Sequence, residues 1–279
     1  MRREYLYRKS LEEKERALFE KKQALKQALD EGRPVPRQLR EDSEALAREL
    51  VYDPNIQMPN THVDDEYANS TLYDPKIVIT TSRNPSSRLI KFSKELKLIF
   101  PNSQTINRGH YIIPQLVQTC KDNDVSDLIL LHETRGNPDN LVICHLPYGP
   151  TAYFSLYNVM LRHDLPDHQQ LSQSYPHLVF NGFSSKLGQR TRNILKYLFP
   201  VPKPDSKRIM TFSNDGDYIS FRYHKYRKES YKEVSLEELG PRFEMRLYQI
   251  KLGTVDIGEA EVEWALRPYM NTARKLDVL

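Results

Sequence analysis

Cysteine is scarce: Cys120 and Cys144 are the two in the chain, and they form no CxxC pair. They cannot supply a four-ligand zinc site, and their apolar or mixed surroundings predict reduced, packed thiols in a reducing compartment. No apolar run approaches the roughly 18 to 20 residues needed to span a bilayer. No apolar stretch follows Met1-Arg2-Arg3-Glu4-Tyr5, so neither a membrane span nor a secretory signal is expected. Cytosol or nucleus remains. Also missing are the Gly-rich dinucleotide loop, the Walker phosphate loop and the HExxH zinc helix. His163, Asp164 and His168 come nearest to a metal cluster. Pro166 interrupts that stretch and no further ligand stands at helical spacing, so a polar surface loop is the simpler reading. The clustered carboxylates of a two-metal nuclease are lacking as well. These absences predict a protein without catalysis, cofactor or metal.

What is present is charge of both signs, 28% of residues, with a net balance of only +4. Such a balance is compatible with nucleic acid, but the placement of the charge matters more than its sum. The first fifty residues are dense in Glu, Lys, Arg, Ala, Leu and Gln, which favours helix. Leu11, Leu18 and Leu25 recur every seven residues, Ser10 and Glu13 read as a capping box, and Gly32 and Pro34 end the segment. A second helix is expected near Pro36, carrying Leu39, Leu46 and Leu50. One narrow leucine stripe cannot form a core alone. Residues 1–51 therefore read either as a partner-docking helical arm or as a solvated helix pair folded on its own domain. Residues 52–72, with Asp53-Pro54, Met58-Pro59 and an acidic run at 64–66, read as an extended linker.

From residue 73 to 279 short apolar strands alternate with helices. Residues 76–81, 127–132, 141–146 and 152–157 are strand-like, residues 105–111 are a further candidate strand, and 86–100 and 113–121 are helical. The pattern then recurs. Residues 96–101 (Leu-Lys-Leu-Ile-Phe-Pro) match residues 195–200 (Leu-Lys-Tyr-Leu-Phe-Pro) at an offset of 199 − 100 = 99. Each follows an apolar strand and a Ser-rich basic turn. An internal duplication giving two related α/β lobes, about 73–170 and 171–279, is expected.

Positive charge interleaved with aromatics marks the second half. Along residues 218–228, strand alternation puts Phe221, Tyr223 and Lys225 on one face and Arg222, His224 and Tyr226 on the other, with Arg227 beyond. Cationic groups neutralise phosphates and aromatic rings stack on unpaired bases; a strand with an ordinary cationic exterior is the plainer alternative. Two basic turns add to this. Arg83, Asn84, Ser86 and Arg88 lie where a strand meets a helix N-terminus, a position that favours a phosphate, although Ser86 or Ser87 can simply cap the helix. Arg108 lies in the other turn, Asn107-Arg108-Gly109-His110.

Thr80-Thr81-Ser82-Arg83-Asn84-Pro85-Ser86-Ser87-Arg88 with Lys94-Glu95-Leu96-Lys97 resembles the opening of a Brix domain. Gly240-Pro241-Arg242-Phe243-Glu244-Met245-Arg246-Leu247-Tyr248-Gln249-Ile250 resembles its closing motif, which that family likens to a nucleic-acid-binding segment of bacterial sigma factors. The resemblance runs from about Pro75 to Trp264. Residues 62–67, 149–154 and 271–275 narrow it to the branch that serves the small-subunit processome. It implies an α/β fold of two interlocked lobes, similar to the anticodon-binding domain of class II aminoacyl-tRNA synthetases, preceded by the helical arm. It also implies contact with small nucleolar RNA and pre-ribosomal RNA, no catalysis and a nucleolar location. The implied protein partners are a large acidic scaffold and a small S4-like RNA-binding subunit. Arg83, Asn84, Ser86 and Arg88 carry over from the opening motif, and Arg242, Phe243 and Arg246 from the closing one. Phe243 and Leu247 read equally as core or contact. A protein-interaction scaffold with incidental RNA contact is the competing reading.

Overall fold

The structure, a computed structural model, describes residues 73–165, 174–203, 205–228, 233–267 and Leu279, and also 9–10, 13–14, 17–18, 20–25, 27–28, 39, 66–67 and 70. Contacts divide the chain into Met1–Asp74 and Pro75–Leu279. In the first unit the described residues between 9 and 28 are helical. Leu18 is 45% exposed and Leu25 is buried, so the expected leucine stripe is not uniformly open; Leu11 lies outside the described residues.

In the second unit the chain runs β1 (Ile77–Thr81), α1 (Ser87–Ile99), β2 (Ser103–Ile106), α2 (Ile113–Asp122), β3 (Asp127–Thr134), β4 (Asn137–His145) and β5 (Thr151–Met160). It continues with β6 (His177–Asn181), α3 (Lys186–Lys196), β7 (Arg208–Asp215), β8 (Tyr218–Lys228), β9 (Val234–Glu238), β10 (Arg242–Leu252) and β11 (Glu261–Ala265). All five residues of β1 are buried, as expected of a β-branched run covered on both sides. Ser86 caps α1 by accepting from the Leu89 amide. Leu89, Phe92, Leu96 and Ile99 form its buried stripe. Pro101 disfavours helical geometry at Phe100, whose backbone is extended, and the helix stops there. The candidate strand at 105–111 is shorter and earlier than expected, because residues 107–112 form the turn leading into α2.

The described strands form one sheet in the order β2-β1-β3-β4-β5-β10-β8-β7-β6, with β9 on β8 and β11 on β10. Its two halves are built alike. β1 runs parallel to β3, and β3, β4 and β5 follow antiparallel. β6 runs parallel to β7, and β7, β8 and β10 follow antiparallel. β5 and β10 meet antiparallel at the centre. Helix α1 begins at residue 87 and α3 at 186, and 186 − 87 = 99, the offset of the sequence repeat. β2 and α2 are present in the first half alone, among the described residues.

Helices α1 and α3 share one face of the sheet, and phenylalanines join them to it. The ring centroids of Phe100 and Phe199 are 5.1 Å apart. The contacts continue from Phe199 to Phe212 at 6.2 Å, Phe212 to Phe221 at 5.2 Å and Phe221 to Phe243 at 4.7 Å. Phe243 then touches Phe92 at 5.7 Å, returning the chain of rings to α1. Beside them Arg208 is buried. It donates to the Leu98 carbonyl at 3.1 Å and the Ser174 carbonyl at 2.8 Å, and lies 4.9 Å from the Tyr223 ring. The carbonyl end of α1 and the ring face offset its charge.

Two close approaches need glycine. Gly149 has φ +108, and a Cβ there would stand 2.6 Å from the Gly253 nitrogen. Gly188 in the first turn of α3 leaves room for the Leu279 carbonyl oxygen, which accepts from the Ser185 amide at 3.3 Å. Phe100 and Phe199 are 7% and 6% exposed, equivalent in burial as well as in sequence. Truncating either to alanine should cost about 3–5 kcal/mol in denaturant unfolding. The double variant should cost less than the sum of the two, because each ring loses the same neighbour.

Candidate nucleic-acid interface

The opening motif connects β1 to α1. Arg83 and Asn84 are exposed at its tip. Ser86 and Arg88 are engaged in the fold: the Ser86 hydroxyl donates to the Glu133 carboxylate, and the Ser86 amide donates to the same group at 2.7 Å. The Arg88 guanidinium donates to Asn137 Oδ1 at 2.8 Å and to the Val159 carbonyl at 3.1 Å. The capping expected of Ser86 is thus joined by an acidic partner at the same helix N-terminus. The carboxylate of Glu133, from the β3–β4 hairpin, lies against the Ser86 amide and hydroxyl, where the helix dipole favours negative charge. Arg108 is likewise largely enclosed, with its Nε donating to the Tyr111 carbonyl at 3.5 Å.

Arg222, His224, Arg242 and Arg246 gather on the second face of the sheet. Strand alternation in β10 buries Phe243, Met245 and Leu247 and leaves Arg242, Glu244 and Arg246 half-exposed. Phe243 and Leu247 are thus core. In β8, Ile219, Phe221 and Tyr223 are buried, whereas Arg222, His224 and Tyr226 are half-exposed. Helix α2 covers only part of this second face, where Leu116, Val117 and Cys120 meet Val78, Leu128, Leu130, Val142 and Cys144. On β10 and β8 the side chains of this second face are half-exposed rather than buried.

Register places the side chains on that face in rows. His132 pairs with Asn140, Asn140 with Ser155 and Ser155 with Arg246. The Arg246 guanidinium lies 5.1 Å from the Tyr218 ring, and Tyr157 meets Tyr218 at 5.5 Å. Farther along, Tyr153 and Tyr248 are 5.8 Å apart, with Lys251 6.0 Å from the Tyr153 ring. Both acids nearby are engaged: Glu244 accepts from Asn158 at 2.9 Å, and Glu238 lies 3.7 Å from Arg242. Arg222, His224, Tyr226, Arg242 and Arg246 therefore share one surface. Arg227 falls on the opposite side of β8, exposed, and Arg83 and Asn84 lie on a loop at one end of the strands.

Burial, reinforced by Arg222, holds the His224 pKa below 6.5 against the pull of Glu238. Burial, reinforced by Arg108, does the same to His132 against Asp139. Both cysteines are free and buried, and burial pushes the Cys144 thiol up to about 11, which leaves it protonated and unreactive at neutral pH. Among the described residues, no three metal-ligating side chains cluster and no helix is long and apolar enough to cross a membrane. The sequence reading missed Tyr153, Ser155 and Tyr157, which alternate with buried Ala152, Phe154 and Leu156. That period of two was available in the strand already identified at 152–157. Glu133 carried no comparable local signal.

The family pattern of the Brix domain matches residues 82–249. The U3 small nucleolar ribonucleoprotein protein IMP4 of Homo sapiens is 53% identical over 277 residues, 99% of this chain and 95% of that protein. The protein of the same name from Schizosaccharomyces pombe is 48% identical over 282 residues, covering 100% of this chain and 96% of the other. A solved structure, of a probable ribosomal biogenesis protein from Aeropyrum pernix, is 19% identical, with a TM-score of 0.48 over 62% of this chain and 96% of that one. A match from the opening motif through the closing strand, joined to identity of this extent along the whole length, makes the chain a member of the Brix-domain family.

Proposed function

We propose that this protein is a non-catalytic RNA-binding assembly factor of the small-subunit processome, located in the nucleolus. There it supports the pairing of small nucleolar RNA with pre-ribosomal RNA and the early processing of small-subunit rRNA. The names of its relatives support the particle, since they place homologous chains in the U3 small nucleolar ribonucleoprotein. One observation carries the RNA contact: the open face of the sheet sets Arg222, Arg242 and Arg246 beside Tyr157, Tyr218 and Tyr226. Guanidinium groups supply the salt-sensitive attraction to phosphate, and tyrosines supply surface for bases. Arg83 extends the positive surface at the strand ends, while Arg88 and Ser86 position the loop that carries it. The large acidic scaffold and the small S4-like subunit are the expected protein partners, and the exposed Leu18 of the N-terminal helix offers a docking residue for one of them.

The test is RNA affinity of the full chain as a function of salt. Neutralising about five phosphates of a single strand gives a log–log slope of about −3.5, at roughly −0.7 per phosphate. Arg246→Ala should flatten the slope by about 0.7. A flat salt response would favour the scaffold reading instead. Arg83→Glu should weaken RNA binding without moving the melting temperature, whereas Arg88→Glu should lower the melting temperature, because it removes two hydrogen bonds within the fold.

Acid should separate binding from stability. His224 is neutral at pH 7, and its protonation as pH falls below 6.5 adds a cation beside Arg222 and Arg242. RNA affinity should then rise as pH falls below 6.5, and this gain should vanish in His224→Gln. The melting temperature should move the other way. The unfolded chain takes up protons at the ordinary histidine pKa, while folded His132 and His224 resist them, so stability falls as pH drops through 6.5.

A further inference from the structure

The open sheet face carries one cluster that charge neutralisation does not explain. Tyr157 of β5 and Tyr218 of β8 reach toward each other across β10, with ring centroids 5.5 Å apart and planes inclined at 69°. Arg246 of β10 lies 5.1 Å from the Tyr218 ring. Despite these mutual contacts, Tyr157 and Tyr218 remain 42% and 38% exposed. Two large rings therefore meet across β10 beside the β7–β8 hairpin, and a substantial part of each remains exposed. Short hydrogen-bonding side chains stand around them on the same face, Ser155 paired in register with Arg246 and Ser220 with Glu244.

The geometry points to a stacking subsite for an unpaired nucleobase on Tyr157 and Tyr218, with Arg246 serving the adjoining phosphate. The RNA taken by this face is accordingly single-stranded. This inference rests on the RNA-binding reading above and narrows it. In a duplex, bases are stacked on one another and present only their edges, so an exposed ring on a flat sheet has nothing to stack against. In a single strand every base offers a π-face, and aromatic platforms exploit this without regard to sequence. Arg246 polarises Tyr218 from within and is already fixed by that contact, so the platform exists before the nucleotide arrives. Ser155 and Ser220 lie within the same rows and can reach base edges, which would add a mild preference among bases.

The experiment measures fluorescence anisotropy of the full chain with a short unstructured RNA, and with the same RNA annealed to its complement. Base–aromatic stacking predicts that Tyr218→Ala and Tyr157→Ala each weaken single-strand binding about tenfold. Duplex binding should stay as in the wild type. Tyr218→Phe and Tyr157→Phe should keep full affinity, since the ring and not the hydroxyl stacks. Should an alanine variant fold poorly, the wild-type chain still decides the matter. Single-stranded RNA carrying 5-iodouridine should photocrosslink to Tyr157 or Tyr218, as located by mass spectrometry. Unchanged single-strand affinity in both alanine variants, equal losses for single strand and duplex, or crosslinks confined to other faces would each overturn the subsite. If Arg246→Ala weakens binding while both tyrosine variants bind normally, the subsite fails and the electrostatic reading stands. If the wild-type chain binds neither RNA, that reading itself has failed.

Discussion

The run of phenylalanines from Phe100 through Phe199, Phe212, Phe221 and Phe243 back to Phe92 is the contact on which the rest of the Brix domain depends. It runs from the residue that ends α1, through the segment that follows α3 and three strands, back to α1 itself. Each ring buries a large apolar area and meets its neighbours at the offset or edge-on geometries that aromatic pairs prefer. Arg208 reinforces the same junction, since its buried guanidinium holds the carbonyl end of α1 against β7. With one face of β10 and β8 committed to this core, alternate residues on their other face can be polar.

That division explains why basic residues of similar appearance in sequence do different things. Arg108 and Arg208 are buried in the fold and exposed Arg88 is tied to its surface, donating to carbonyls and, for Arg88, to Asn137. Arg222, Arg242 and Arg246 lie on alternate positions of two neighbouring strands and are directed to the half-exposed face. A strand sorts its residues by parity alone, so the buried hydrophobic set at Phe243, Met245 and Leu247 dictates where the arginines go. Glu133 illustrates the opposite case: a single acid at a hairpin ties a helix N-terminus into the fold by hydrogen bonding.

Much of this was legible beforehand. The helix from Ser87 to Ile99, the apolar strands and the 99-residue offset announce themselves through local period and through repeated residues. The parity of β8 was readable too, because burial alternates along it as the side chains do. What stayed hidden was long-range: Glu133 meeting Ser86, Arg88 reaching the end of β5, and Tyr157 crossing to Tyr218. Those depend on strand order, which no window of sequence contains. The leucine heptad of the N-terminal helix was likewise visible, but its spacing carries no information on which leucine is enclosed.

The central strand of the sheet is also one of the last to be synthesised. β10 pairs with β5 and β8, and its Phe243 meets Phe92, 243 − 92 = 151 residues earlier in the chain. Closing a loop of that span carries an entropic penalty that must be met before the contact rewards it. A nascent chain emerging from the ribosome therefore holds β5 with an unpaired edge, and α1 with Phe92 uncovered, until residues 242–252 arrive. The first half is thus completed only by a strand that belongs to the second.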